Sequence, residues 1–205
     1  MAIWSKFQTI VSELAKVTEH YDYIVIGSGS AGGIVAARLS ENGKHTVLCL
    51  EAGEKDENYF WSKIPAASAF LFDDPKANWR YWSEANEAYG NRPLYVPRGK
   101  ILGGSSAING MVYVRGQKQD YDHWAQLGCT GWSYEDVLPM FKRMENYDGG
   151  KDEHRGRSGP VRISEASKVT PFYDLVIQSA VNIGIPRNPD YNDDNQEGVA
   201  MAQGS

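Results

Sequence analysis

Residues Asp22–Glu51 read DYIVIGSGSAGGIVAARLSENGKHTVLCLE, and this stretch decides the fold. Asp22–Ile26 is a short β-branched run ending at Gly27, which predicts a buried strand. Gly32–Asn42 then reads as a helix with Gly43 as its stop. Thr46–Leu50 is a second apolar strand and closes a βαβ unit. Between the first strand and the helix, Gly27, Gly29 and Gly32 fit G-x-G-x-x-G. The first glycine permits the tight turn, the second lets a pyrophosphate approach the backbone, and the third lets helix pack on strand. The phosphates would rest at the positive end of the helix dipole. Glu51 closes the second strand, about twenty residues on, where an acid accepts hydrogen bonds from a ribose.

A generic βα turn with a solvated glutamate is the competing reading, and the full context of strand, turn, helix and acid argues against it. An acid at Glu51 also repels the 2′-phosphate of NADP, leaving NAD or FAD. Ala52-Gly53 opens a long excursion instead of the next short helix and strand, which favours FAD.

Working outward, Arg98–Gly116 (RGKILGGSSAINGMVYVRG) is a second small-residue signature. Gly103, Gly104 and Ser105 present consecutive backbone N–H groups that suit an anion or a flat ring approaching the main chain. Between the two signatures the chain is irregular and aromatic, with Trp61, Phe70, Phe72, Trp79, Tyr81 and Trp82. A long connection of this kind is more often functional than a linker. Trp79, Tyr81 and Trp82 line a flavin or substrate pocket, or else pack beneath the excursion.

The 205 residues suffice for a sizeable core and for one or two domains. A net charge of −5 with scattered Lys and Arg argues against a nucleic-acid partner. The two cysteines, Cys49 and Cys129, form no disulfide framework, so a reducing, cytoplasmic setting is expected. No apolar run is long enough to cross a membrane. The first residues do not make a signal peptide, because Gln8, Thr9, Ser12 and Glu13 interrupt any apolar region. Trp4, Phe7, Ile10, Val11, Leu14 and Val17 instead form an amphipathic helical stripe. Docking on the protein's own core or on a partner is the expectation for it, with membrane-surface contact through residues 4–17 as the alternative.

Further along, Asp120–Leu127 reads as a short helix stopped by Gly128. Ser133 with Asp136 resembles a capping box before Val137, Leu138, Phe141 and Met144, although Pro139 leaves that helix's start open or its axis bent. The polar, Gly-rich Asn146–Ser158 marks a domain boundary. Gly159–Ser164 then reads as a strand, and Thr170-Pro171 caps and opens a helix running to Gly184. The tail from Ile185 carries no strong pattern. The organisation expected is an N-terminal helix over 1–20, a dinucleotide-binding domain over 21–150 with its excursion at 54–97, and the start of a second domain over 151–205.

The core of the second signature, from Gly99 to Asn109, resembles that of the glucose–methanol–choline (GMC) family of flavin oxidoreductases at each position, and Tyr113, Gly116 and Asp122 continue it. Tyr121–Trp124, Gly131–Tyr134 and Gly159-Pro160 extend the similarity, which lies nearest the choline-dehydrogenase-like branch and covers nearly all of the chain after Tyr21. The resemblance implies an α/β fold: a Rossmann-like FAD-binding domain of GMC type, incomplete, followed by the start of an α+β substrate-binding domain. It implies FAD contacts from Gly27, Gly29, Ser30, Ala31, Gly32, Glu51, Ala52, Arg98, Gly103, Gly104, Asn109, Gly110, Met111 and Val112. Asn109 to Val112 would touch the flavin ring through main chain. Some members link the flavin to a His two residues before the position of Gly110; Ile108 stands here, so the FAD is expected to be non-covalent. Arg98 and Arg115 could fix the loop, but for both an exposed surface position is the commoner case.

The activity implied is oxidation of a primary alcohol by hydride transfer to flavin, assisted in the family by a histidine near the C-terminus. The chain ends well before that region and lacks the remaining strands of the FAD domain. His20, His45, His123 and His154 do not fill the gap, each reading as a surface or capping residue, and no catalytic acid or base is assigned. Ser105-Ser106 lacks nearby nucleophilic partners, and neither Asp73-Asp74 nor Asp193-Asp194 follows a metal-loop spacing, so no metal site is assigned. The chain thus reads as the N-terminal portion of a GMC alcohol dehydrogenase with a small-molecule alcohol as its substrate. Alone it would have little turnover, hold FAD weakly and tend to aggregate, because a partial parallel sheet leaves apolar faces uncovered. The competing readings are a non-catalytic FAD-binding or interaction module, and a GMC-fold oxidase, lyase or photodecarboxylase.

Overall fold

A computed structural model describes residues 19–55, 59–64, 67–165 and 171–205. The amphipathic stripe at 4–17 and the capping role of Thr170 lie outside the described residues. The chain divides into two compact units, Met1–Gly110 and Met111–Ser205. The composition change at 146–158 falls inside the second unit.

The first unit opens with β1 (Tyr23–Ile26), α1 (Gly32–Ser40) and β2 (Val47–Leu50). β1 and β2 pair in parallel with Ile26 opposite Leu50, as a βαβ crossover requires. The strand's predicted burial needs correction. Ile24 is 61% and Ile26 87% exposed, because among the described residues β2 is the only strand beside β1. The apolar run therefore has the composition of a covered strand without the cover.

The excursion folds into short pieces. A 3-10 turn (Phe60–Lys63) and α2 (Ser68–Leu71) lead to β3 (Tyr81–Trp82), which pairs antiparallel with β4 (Tyr95–Val96) around another 3-10 turn (Glu87–Tyr89). Asn78, buried, pins this region. Its Oδ1 accepts the N–H groups of Arg80 and Arg98, each at 2.9 Å, and its Nδ2 donates to the Phe72 carbonyl at 2.6 Å. Tyr59, Leu71, Ala77, Ile101 and Ile108 form the buried core of the unit, with Phe72 and Ala107 packed against it. The excursion thus supplies the core beneath the second glycine signature, which contains a 3-10 turn at Gly104–Ala107.

In the second unit, α3 (Lys118–Gln126) packs against α4 (Tyr134–Met144) through Tyr121 on Phe141, and Trp124 of α3 meets Trp132 in the connection between them. The capping box forms: Ser133 N–H donates to the Asp136 carboxylate at 3.0 Å and its Oγ accepts the Asp136 N–H at 3.3 Å. α4 starts at Tyr134 and carries Pro139 inside it. Beyond it, β5 (Glu145–Asn146) pairs in parallel with β6 (Val161–Arg162), and β7 (Ser164–Glu165) pairs antiparallel with β8 (Gln203–Gly204). α5 (Pro171–Asn182) lies between them in sequence. The expected single strand over 159–164 is thus two short ones. The tail, read as patternless, is held by β8, by the bridge of Gly204 to Val112, and by a buried polar network.

That network corrects the reading of Arg115 as a surface residue. Its side chain is 2% exposed and pairs with Glu145, itself fully buried, at 2.8 Å. Arg155, also fully buried, reaches Glu145 at 2.8 Å, Asp190 at 2.5 Å and Gln203 Oε1 at 3.1 Å. Burial opposes ionisation of Glu145, but the Arg155 guanidinium, the Gly156 N–H and Arg115 together hold its carboxyl below the ordinary carboxylate value.

Candidate functional site

The parallel register explains how the first signature is built. Gly27 N–H donates to the Leu50 carbonyl at 2.7 Å, extending the ladder one step past Ile26 and Leu50. The next residues on each strand, Ser28 and Glu51, therefore meet beyond the strand ends. Ser28 donates both its N–H and its hydroxyl to Glu51 Oε2, each at 2.8 Å, and Gly53 N–H donates to Oε1 at 2.9 Å. Desolvation pushes the Glu51 pKa up, but the Ser28 and Gly53 donors outweigh it and the carboxyl sits below its usual range.

The helix turn is tight enough that only glycine fits at Gly32: a Cβ there would lie 1.9 Å from the Gly27 carbonyl oxygen. No side chain caps α1 at Ala31, so the leading amides of the helix have no side-chain partner at the end where an anion is favoured.

The second signature docks onto the first. Gly103 N–H donates to the Ser28 carbonyl at 3.1 Å. Gly104, at φ +58°, approaches so closely that a Cβ on it would lie 2.7 Å from Gly29 Cα. Two glycine-rich turns, seventy-odd residues apart in sequence, thus form one wall.

A cleft of about 600 Å³ opens beside this wall, within the range that holds a nucleotide-sized ligand. It brings together Gly27, Gly29, Ser30, Glu51, Ala52, Arg98 and Gly104 from the predicted set. Ala31, Gly32, Gly103, Asn109 and Gly110 of that set are not among its lining residues. Met111 and Val112 belong to the second unit. Of the aromatic trio, Trp79 and Tyr81 line the cleft with rings parallel to within 4° at 6.0 Å, and Trp82 does not. Lys100 stands 4.9 Å over the Trp79 ring, where an ammonium is attracted by the ring face. Ile26, Leu50, Val96, Gly99 and Ser105 complete the lining, and of these the sequence pointed to Ser105 alone as a ligand-facing residue. Ser28, which holds Glu51, was also passed over, since the second position of G-x-G-x-x-G carries no sequence requirement.

The residues present fit an adenine dinucleotide on three counts: a turn and a loop that a Cβ would fill, a helix start without a side-chain cap, and an anchored carboxylate at the end of β2. Among the described residues, charged clusters elsewhere do not offer this combination. Asp193, Asp194 and His154 come within 4.8 Å of one another, a grouping their spacing does not show. The Lys151 ammonium already pairs with both acids, at 3.1 and 3.7 Å. None of the four histidines lines the cleft.

Known proteins resemble this chain in sequence and in fold. Residues 21–205 match the GMC oxidoreductase family. An oxygen-dependent choline dehydrogenase of Rhizobium rhizogenes is 45% identical over 182 residues, covering 89% of this chain and 33% of that protein. The enzyme of the same description from Vibrio vulnificus is 46% identical, over 88% of this chain and 32% of its own length. The chain thus spans about a third of the length of these relatives. Among solved structures, pyridoxine 4-oxidase from Mesorbium loti superposes with a TM-score of 0.80 at 33% identity, over 90% of this chain and 36% of its own. Formate oxidase of Aspergillus oryzae gives 0.79 at 28% identity, over 91% and 34%.

Proposed function

The chain belongs to the GMC oxidoreductase family, whose members are FAD flavoproteins, and from that premise we propose that its first unit is the FAD grip of an enzyme oxidising a small primary alcohol. The observation that carries the reading is the docking of Gly103 and Gly104 onto the turn at Ser28 and Gly29, beside an anchored Glu51. Gly27, Gly29 and the first turn of α1 receive the pyrophosphate through backbone N–H groups and the helix dipole. Glu51 accepts from the adenosine ribose, and its negative charge excludes a 2′-phosphate. Arg98, exposed at the cleft, adds positive charge next to the phosphates.

FAD supplies the acceptor for a hydride leaving the alcohol carbon. The chain's own contribution would be to bind and orient the cofactor, and the family resemblance would have the main chain of Asn109 and Gly110 face its ring. Ile108 is buried in the core and offers no nucleophile, which supports a non-covalent flavin. The names of the relatives make choline, or a similar small alcohol, the first candidate substrate for a protein containing this chain. The proton acceptor is not assigned to any residue here.

The reading is tested by titrating FAD, NAD and NADP into the purified chain by isothermal titration calorimetry, which reads all three ligands alike. Saturable binding of FAD in preference to NADP, displaced by ADP, is the expected result. Equal binding of NADP would remove Glu51 from its role and the reading with it.

A further inference from the structure

We propose that Ser28 is a positioning residue for the ribose-binding acid: its hydroxyl, together with its N–H, fixes the rotation of the Glu51 carboxylate toward the adenosine. The inference rests on the FAD reading above. Ser28 is 8% exposed, so its side chain has little alternative to the partner it faces. Both of its donors reach the same oxygen, Oε2, at 2.8 Å. A carboxylate oxygen accepts about two hydrogen bonds, so Ser28 alone fills Oε2. The Gly53 N–H takes Oε1 from the other side at 2.9 Å. A carboxylate gripped at both oxygens does not rotate freely, and the entropy of fixing it is met before the ribose arrives. The backbone donors would remain in any variant. The hydroxyl is the one element of the grip that a side-chain substitution removes.

The test uses ADP as the probe, with the affinity of the full chain read by amide shifts in NMR. Ser28→Ala is expected to weaken ADP binding about threefold to tenfold, the scale of one ordinary hydrogen bond, because the Ser28 and Gly53 backbone donors still hold the carboxylate. Ser28→Thr, which keeps the hydroxyl, is expected to bind as the wild type does. In a Glu51→Ala background, which leaves the hydroxyl no acceptor to position, Ser28→Ala is expected to cost nothing further. An equal loss in both backgrounds, or an equal loss for Ala and Thr, would overturn the proposal and leave Ser28 with a packing role only. A second readout needs no ligand. The Glu51 carboxyl, followed by its carbon shift against pH, is expected to titrate higher in Ser28→Ala than in the wild type. An unchanged titration also overturns the proposal. A wild type that shows no saturable response to ADP contradicts the FAD reading instead, and the titration then decides the hold of Ser28 on Glu51 by itself.

Discussion

At Gly104 the backbone sits at φ +58° and a methyl group would press 2.7 Å from Gly29 Cα. Neither strain can relax without parting the two glycine turns, because Gly103 is itself bonded to Ser28. Gly104→Ala is therefore expected to destabilise the first unit by about 1–3 kcal/mol, from overpacking and a left-handed backbone. Its urea midpoint measures this, and a midpoint equal to the wild type contradicts the docking. The glycines and Glu51 were legible in the sequence because each answers a steric or chemical demand of the turn. Ser28 was not, because its side chain finds Glu51 only through the register that sets Ile26 opposite Leu50, and register is a tertiary fact. Arg115 was misread for a related reason. An arginine in a polar stretch is usually solvated, and here distant partners, Glu145 thirty residues on, the His154 carbonyl and Asn192, enclose it.

At the scale of elements, helix starts and the βαβ unit were the most readable, since caps and apolar runs act over a few residues. α4 shows it: Ser133 and Asp136 close the box the sequence implies, and the helix begins at Tyr134 despite Pro139. Ser133→Ala is expected to cost about 1 kcal/mol in the second unit, measured as a lowered denaturation midpoint with the fold retained. No change there would mean that the Asp136 bond to the Ser133 N–H suffices alone. Burial was harder to read than type. β1 has the run of a covered strand, yet Ile26 is 87% exposed, because cover depends on neighbours that a local pattern does not name. Among the short strands, β6 and β7 read as one segment and β5 and β8 carry no local signal, for the same reason, each being two residues long and defined by a distant partner.

Over the whole molecule, the two units hold themselves together differently. The first has an apolar core under the glycine loop, around Leu71, Ile101 and Ile108. The second gathers buried charge, with Arg115 and Arg155 sharing Glu145. Removing one member of a buried, paired set leaves its partners uncompensated, so Glu145→Gln is expected to cost about 3–5 kcal/mol in the second unit. The same group sets an acid response. Its carboxyl lies below the unfolded value in the native state, so its contribution is full at neutral pH, above the unfolded pKa. That contribution is lost as pH falls through the lowered native value. An unfolding midpoint that declines with acid in the wild type, and less so in Glu145→Gln, is the expected pattern; parallel declines contradict it.

The central claim is that one cleft, made by two glycine turns and Glu51, holds FAD. It is tested most directly by fluorescence anisotropy of FAD titrated with the chain, beside Gly29→Val and Glu51→Gln. The account predicts a saturable rise for the wild type, no rise for Gly29→Val, and a Kd raised about tenfold or more for Glu51→Gln, the scale of a hydrogen bond to a charged group. A wild type without a saturable rise, or a rise that survives Gly29→Val unchanged, would contradict it.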